Sequence, residues 1–395
     1  MKKIRIKNNI LEYDISSRYI IFLLTVFVLI GKLVRWTIMV DTLVNMSKGW
    51  GYVYPIIGGS KIPFELFTAE NALGGEVGGI NNMFLFYRLI WNLCLRIPKD
   101  FYSFEVAFTL IFTIILFILF TKVKKTLKMT EFIFICISTM VLSVYCFCLA
   151  KEPMQMIYFI LLFVVLYTDK IPNNRKLLAG VIVILLMAAT FRVYYVIFLV
   201  FAFPFMFFMR KFKDKEMSNY DLVKMLLKMG VVYLVMMTIL MVVNGELYHR
   251  LADSLLYASD ATSSSNTYIE NVITQSKGNV LLVALEYLIA VIRLLFPIEL
   301  IGLGPKYWPY IAYQIILSVL MIKSIKNYNK VNMVQRIATV LFVGFVFGSS
   351  TFEVDFGAWV RHGAVTLPLI LLMTGMIKAK ESEVVNEKET ILSDN

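Results

Sequence analysis

Runs of roughly 14 to 22 predominantly apolar residues recur along the whole chain, separated by short polar knots rich in Lys and Arg. A run near 20 residues matches the thickness of the hydrocarbon layer at about 1.5 Å per helical residue, so each run is a candidate transmembrane helix. Backbone that faces lipid must satisfy its own hydrogen bonds, and the periods do not suit a barrel, which leaves helix as the reading throughout. The expected fold class is all-α: a polytopic transmembrane helical bundle of about ten spans, with a long outer loop carrying an interfacial helix. Candidate spans are 19–40, 101–121, 131–149, 153–168, 177–191, 193–209, 225–243, 308–322, 337–350 and 363–377. Composition agrees: 59% of the 395 residues are hydrophobic and 17% charged, with a mean hydropathy of +0.74. Such values lie outside the usual range for soluble domains.

The first run, Tyr19 to Val40, follows Lys2, Lys3, Arg5 and Lys7 as a signal peptide would. It is too long for that role, and no small-x-small cleavage site follows, so it is read as a retained span. The formal net charge is +12, but the cations sit between apolar runs, where they orient helices instead of binding nucleic acid. The positive-inside rule then fixes parity. Lys122/Lys124/Lys125/Lys128, Lys170/Arg175/Lys176, Arg210/Lys211/Lys213/Lys215 and Lys323/Lys326/Lys330/Arg336 belong in the cytoplasm. Both termini join them, and the polar composition of 378–395 predicts a disordered cytoplasmic tail behind a single transmembrane domain, 1–377.

Parity places the turn Lys151-Glu152-Pro153 outside, with Pro153 suited to the first turn of a returning helix. Arg192 marks the next outer tip, and the short stretch from Lys176 to Arg210 predicts tilted or broken helices. Residues 279–297 are apolar but carry Glu286 and Arg293. If they spanned, the basic 323–336 loop would fall outside, so an interfacial or re-entrant helix on the outer side is expected. Two outer loops are long. In 41–100, residues Asn82 to Ile97 look like a helix lying in the interface, with Tyr87 and Trp91 at headgroup level. In 244–278, Ser263-Ser264-Ser265-Asn266 reads as part of a mobile loop. His249 beside Arg250 reads as a solvated residue.

Cys94, Cys136, Cys146 and Cys148 lie in or beside apolar segments, and Cys146-x-Cys148 points its side chains to different faces, so no metal or disulfide pattern arises. The pairs Gly58-Gly59, Gly74-Gly75 and Gly78-Gly79 lack the Lys-Ser/Thr of a phosphate loop and read as flexible. No cofactor is assigned, and a divalent cation is left open.

Under this parity Asp41, Lys151, Glu152, Arg192, Glu353, Asp355, Arg361 and His362 all fall on the outer face. Ionisable residues at the membrane boundary are expensive and usually face a cavity or one another. Carboxylates beside Arg, Lys and His suit a substrate bearing both hydroxyls and phosphate. A carboxylate accepts the proton of an attacking hydroxyl, and guanidinium groups stabilise a departing phosphate.

The order of these features resembles the membrane-embedded glycosyltransferases of the C superfamily, with Asp41, Glu152 and Arg192 in matching positions. Asp355…Arg361-His362…Pro368 is similar to bacterial polysaccharide polymerases working on undecaprenyl-diphosphate-linked units. The resemblance implies an enzyme of the bacterial plasma or inner membrane that makes capsule or exopolysaccharide. Its donor would be a polyprenyl-(di)phosphate-linked sugar used at the outer face. Asp41, Glu152 and Asp355 would be catalytic, and Lys151, Arg192, Arg361 and His362 would bind the lipid phosphate. Other polysaccharide-assembly proteins would be partners. The superfamily often carries paired acids after its first span, whereas Asp41 stands alone, so Glu65, Glu70 or Glu76 are alternative bases. The competing reading is a transporter or flippase for a lipid-linked or anionic solute, whose charges would sit near mid-membrane.

Overall fold

The computed structural model describes residues 4–7, 10–14, 17–37, 56–57, 60–61, 86, 89–97, 101–124, 126–147, 152–212, 217–256, 267–269, 271–273, 279–353 and 355–377. Asp41, Glu65, Glu70, Glu76, Cys148, Lys151, the three Gly pairs and the tail lie outside these residues. Helix dominates. In chain order the helices are α1 (Ser17–Thr37), α2 (Phe101–Phe120), α3 (Met129–Tyr145), α4 (Glu152–Tyr167), α5 (Asn173–Thr190), α6 (Val196–Met209), α7 (Asn219–Val243), α8 (Gly245–Leu256), α9 (Val280–Leu295), α10 (Trp308–Lys326), α11 (Met333–Ser350), α12 (Phe356–Ala364) and α13 (Leu367–Met373). Among the described residues, five helical segments are long and apolar enough to cross a membrane, and six if α12 and α13, bent by 67°, count as one span. Val106–Phe120, Met129–Tyr145 and Glu152–Tyr167 are shorter and apolar. Length and apolarity thus secure five or six of the ten expected spans.

Two departures from an all-helical reading are short strands. β1 (Ile4–Lys7) pairs antiparallel with β2 (Ile10–Asp14), and β2 with β5 (Thr126–Lys128); β3 (Ile56–Ile57) and β4 (Ser60–Lys61) form a separate ladder. The alternation Ile4-Arg5-Ile6-Lys7 carries the strand period of two, a signal that the search for long apolar runs passes over.

Contacts sort the two ends of the bundle. At the basic end, β5 anchors the N-terminal hairpin, and the Lys124 N–H donates to the Met376 carbonyl at 2.8 Å. There too Lys326 Nζ donates to Asn219 Oδ1 at 2.8 Å, while Arg336 donates to the carbonyls of Asn329 and Val331 at 2.6 and 2.9 Å. The lysine-rich knots therefore gather at one end, among the described residues. Helices leave that end and reach the opposite one, where Glu152, Arg192 and 353–362 lie.

Of the tilted or broken helices expected between 177 and 209, neither helix is broken. α5 starts at Asn173 and includes Arg175 and Lys176, giving 18 residues, and Val193–Phe212 is continuous over 20 residues. Long basic side chains are compatible with helix at a membrane boundary, so the cationic knot did not end the helix. Within 244–278, residues 245–256 are helical where a mobile loop was expected. Leu247, Tyr248, Leu251 and Ala252 form its apolar stripe, Leu251 and Ala252 are buried, and the Tyr287 hydroxyl donates to the Leu251 carbonyl at 3.0 Å.

α9 enters and leaves from the site end. Buried Glu286 accepts the N–H groups of Val272 and Ile273 at 2.5 and 2.8 Å, pinning that segment to the helix. The other terminus stops part-way along the bundle, where the Leu295 carbonyl accepts from Ser318 at 2.7 Å in the middle of α10. Residues 296–307 then return to Trp308, beside the site end, with Arg293 paired bidentately to Glu299 at 2.7 Å.

In the expected interfacial helix, Leu89 to Leu93 are helical, and Leu95 and Arg96 reverse the chain at φ 54°. Leu89, Leu93, Leu95 and Ile97 are exposed, Ile90 is buried, and Arg96 lies over the Trp91 ring at 5.2 Å.

Close packing depends on small residues. α1 crosses α3 at Gly31, where an added Cβ would stand 2.7 Å from Ser143 Cβ and 2.8 Å from the Met140 carbonyl. Ser143 Oγ donates to the Val28 carbonyl at 2.6 Å. α11 crosses α6 through Gly344-x-x-x-Gly348, the small-xxx-small pattern that lets membrane helices touch by backbone.

Candidate functional site

Four elements bring the site together. Glu152 is the first residue of α4, where its negative charge suits the helix N-terminus. It is buried, 1% exposed, and not the solvated knot that a turn of Lys-Glu-Pro suggests. Its Oε1 lies 3.9 Å from Arg361 Nη1 and 3.7 Å from His362 Nε2, both from α12. The other imidazole nitrogen, Nδ1, donates to Glu353 at 2.5 Å. One histidine is thus clamped between two carboxylates, which fixes the ring plane much as an acid orients a ligand or catalytic imidazole.

Arg192 sits between α5 and the 3-10 turn 193–195. It donates to the Tyr194 hydroxyl at 2.7 Å and stacks near Phe191 and Tyr194, at 5.5 and 5.6 Å from their ring centroids. The Tyr194 ring packs on Phe352 at 4.6 Å, which draws this tip against the Glu353 segment. Burial alone would lower the Arg192 pKa, but Tyr194, Tyr195 and Glu353 outweigh it and raise the value. The cation is therefore secure in its partly buried site.

Asp355 takes another role. Its Oδ1 accepts the Ala358 N–H at 2.7 Å, the N-cap of α12, and its Oδ2 accepts the Thr267 hydroxyl at 2.7 Å. The Phe356 N–H donates to the Thr267 carbonyl at 2.8 Å. Burial and the Asp355 carboxylate together push the Tyr268 phenol pKa up. With one of these bonds on each oxygen, Asp355 positions α12 and ties residue 267 to it. Asp355→Ala should cost about 1–2 kcal/mol through loss of the cap, read as a lower unfolding midpoint. It should also increase protease cleavage between 257 and 273. Asp355→Asn, which keeps an N-cap acceptor, should recover most of the loss.

Further along α12, Trp359 Nε1 donates to Gln314 Oε1 at 3.0 Å, which fixes the helix against α10. The Cys146 thiol lies 3.8 Å from the Arg361 carbonyl, so the end of α3 also abuts it.

Residues that the sequence reading passed over complete the site. Lys32 and Arg35 of α1 are buried, and Lys32 donates to the Phe147 carbonyl, Arg35 to that of Val144 at 3.1 Å. They cap the negative C-terminal end of α3. Tyr145 lies within electrostatic reach of both Arg35 and Arg361, so the two cationic groups share one region. Two cations at i, i+3 inside an apolar run were the available signal. Gln155, one turn beyond Glu152, is 1% exposed, and neither amide atom has a hydrogen-bond partner among the described residues. Among the described residues no group of three His, Cys, Asp or Glu side chains is arranged to hold a metal ion. His249 is exposed beside Tyr248.

Structure thus brings Glu152, Arg361, His362, Glu353 and Arg192 to one end of the bundle. Asp41 and Lys151 fall outside the described residues. Compared with protein-family models, curated proteins and solved structures, the chain matches none.

Proposed function

We propose that this chain is a membrane glycosyltransferase or repeat-unit polymerase of cell-surface polysaccharide synthesis. It would use a polyprenyl-(di)phosphate-linked donor at the outer face of a bacterial plasma or inner membrane. The observation that carries the reading is the buried Glu152 carboxylate held against Arg361 and His362. A carboxylate for sugar hydroxyls and cations for phosphate stand side by side at one end of a lipid-embedded bundle. Counting α12–α13 once, α1 to α7, α10 and α11 bring the proposed crossings to ten. With the lysine-rich end in the cytoplasm, both termini lie there and the cluster faces outward.

In the proposed reaction an acceptor hydroxyl attacks the anomeric carbon of the donor sugar. The new C–O bond forms as the bond from that carbon to the phosphate oxygen breaks. The acceptor proton passes to a carboxylate, and the electron pair leaves with the lipid phosphate. Asp41 is the assigned base and Glu152 orients the acceptor, with Gln155 offering its unused amide to a sugar hydroxyl. Lys151, Arg192, Arg361 and His362 hold the phosphate, where guanidinium groups stabilise charge as it develops. Lys32 and Arg35 add to the positive field. Asp355 moves from catalysis to positioning.

Arg361→Ala and Asp41→Ala should each abolish polymer formation in membranes that contain normal amounts of the protein. Wild-type polymer from either would remove the mechanism. Cysteines placed at 192 and 355 should react with impermeant thiol reagents from outside only. Reactivity that alternates between the two faces would identify a transporter instead.

A further inference from the structure

At the basic end, far from the carboxylate cluster, a groove of about 520 Å³ opens between the end of α6 and the start of α7. Its walls are Phe207, Phe208, Phe212 and Met225, and its rim carries Arg210, Lys211, Lys224 and Lys228 against a single acid, Asp221. That acid is already engaged: the Ser218 hydroxyl donates to Asp221 Oδ2 at 2.7 Å, and the Asp221 N–H donates back to Ser218 at 3.1 Å, capping α7. None of the four cations forms an ion pair with a carboxylate among the described residues. Lys224 and Lys228 instead lie over the rings of Tyr220 and Phe208, at 5.8 and 5.6 Å.

Among the described residues, four cations facing a single carboxylate carry a net positive charge that repels itself, an arrangement that an anion relieves. The groove is not open to water alone. Phe207, Val223 and Leu227 beside it are 69, 55 and 67% exposed, on helices whose outer surfaces are apolar. A ligand here meets cations at one end and bare hydrocarbon-facing surface at the other. Lys224 and Lys228, one turn apart on α7, share the face that looks across at Phe208, so their charges converge on the groove.

We propose that this groove binds the headgroup of an anionic, phosphate-bearing membrane lipid, its phosphate among Arg210, Lys211, Lys224 and Lys228 and its acyl chains along Phe207 and Leu227. A free inorganic anion would use the cations and leave the apolar wall idle. A zwitterionic lipid would use the wall and gain little from the cations. Basic pockets between helices on the cytoplasmic side suit anionic headgroups for this reason. The site is independent of whichever reaction the opposite end performs.

Detergent-solubilised protein titrated with phosphatidylglycerol, phosphatidylcholine or inorganic phosphate distinguishes these cases. Bound lipid would be counted by native mass spectrometry and stability followed by the melting temperature. Phosphatidylglycerol should remain bound and raise the melting temperature, and the double variant K224Q/K228Q should weaken its binding at least about tenfold. Both lysines are at the rim, and the lipid-free melting temperature of the variant should match that of the parent. The control K170Q/R175Q removes the same charge from the same end outside the groove and should retain binding. Equal binding of phosphatidylcholine, saturation by inorganic phosphate alone, or an equal loss in the control would each overturn the proposal.

Discussion

Glu152→Gln should lower sugar transfer by about 10²- to 10³-fold, while leaving the protein folded and inserted at parental levels. The substitution keeps the volume and hydrogen-bonding reach of a side chain that is 1% exposed, so packing at the start of α4 survives. What disappears is the negative charge between Arg361 and His362, 3.9 and 3.7 Å away. Arg361 is 39% exposed and can turn to water, which limits the structural cost of losing its partner. The functional cost is not limited in that way. Without the carboxylate the cations lose their fixed geometry, and an acceptor hydroxyl loses its strongest acceptor. Glu353→Gln acts one step further out, through His362 Nδ1, and should cost about 10- to 100-fold. Transfer rates measured with a lipid-linked donor in proteoliposomes check the order. An E152Q protein near parental activity, or one weaker in effect than E353Q, would detach the cluster from the chemistry.

Five or six of the expected spans, and the gathering of the basic knots at one end, were legible in the sequence for a physical reason. Lipid imposes a run length and a basic flank on every crossing, and both are local properties. The grouping of Glu152, Arg361 and His362 followed from the same constraint, since parity put residues 209 positions apart at one end of the bundle. Partners within that end were not legible. Nothing in the order of residues tells that Asp355 spends both oxygens on Ala358 and Thr267, or that Glu286 pins Val272 and Ile273. Such contacts depend on which side chain meets which backbone group, and hydropathy has no register for that. Lys32 and Arg35 were hidden for the opposite reason: an otherwise apolar run absorbs two cations without losing its identity as a helix. The 3-10 return after Leu295 is similar. The expectation of an excursion there rested on keeping the basic loop that follows at the same end as the other lysine-rich knots.

Gly344→Ala should be the most destabilising of the alanine substitutions at 180, 230, 344 and 348, at about 3 kcal/mol. A Cβ at 344 would lie 2.4 Å from the Phe198 carbonyl oxygen and 2.9 Å from Ala202 Cβ. The nearer atom is backbone, so no rotamer change relieves it, and α11 would have to move bodily away from α6. At Gly348 the nearest atom is Phe198 Cδ1, also at 2.4 Å, and a ring can yield more readily than a carbonyl. Gly180 meets only a Leu341 methyl at 3.1 Å, and Gly230 only Leu288 methyls from 3.8 Å. The expected order of cost is therefore 344, then 348, then 180. Gly230→Ala should be neutral or stabilising by about 0.5–1 kcal/mol, because alanine favours helix. Unfolding in mixed detergent, followed by protease resistance, would rank the four proteins. The joint also connects to the site: α6 begins just after Arg192 and α11 ends just before Glu353, so its spacing sets the distance between them. Gly344→Ala should thus lose transfer activity even in the fraction that remains folded. A folded Gly344→Ala protein with full activity would show that the gap between α6 and α11 can widen without disturbing the cluster.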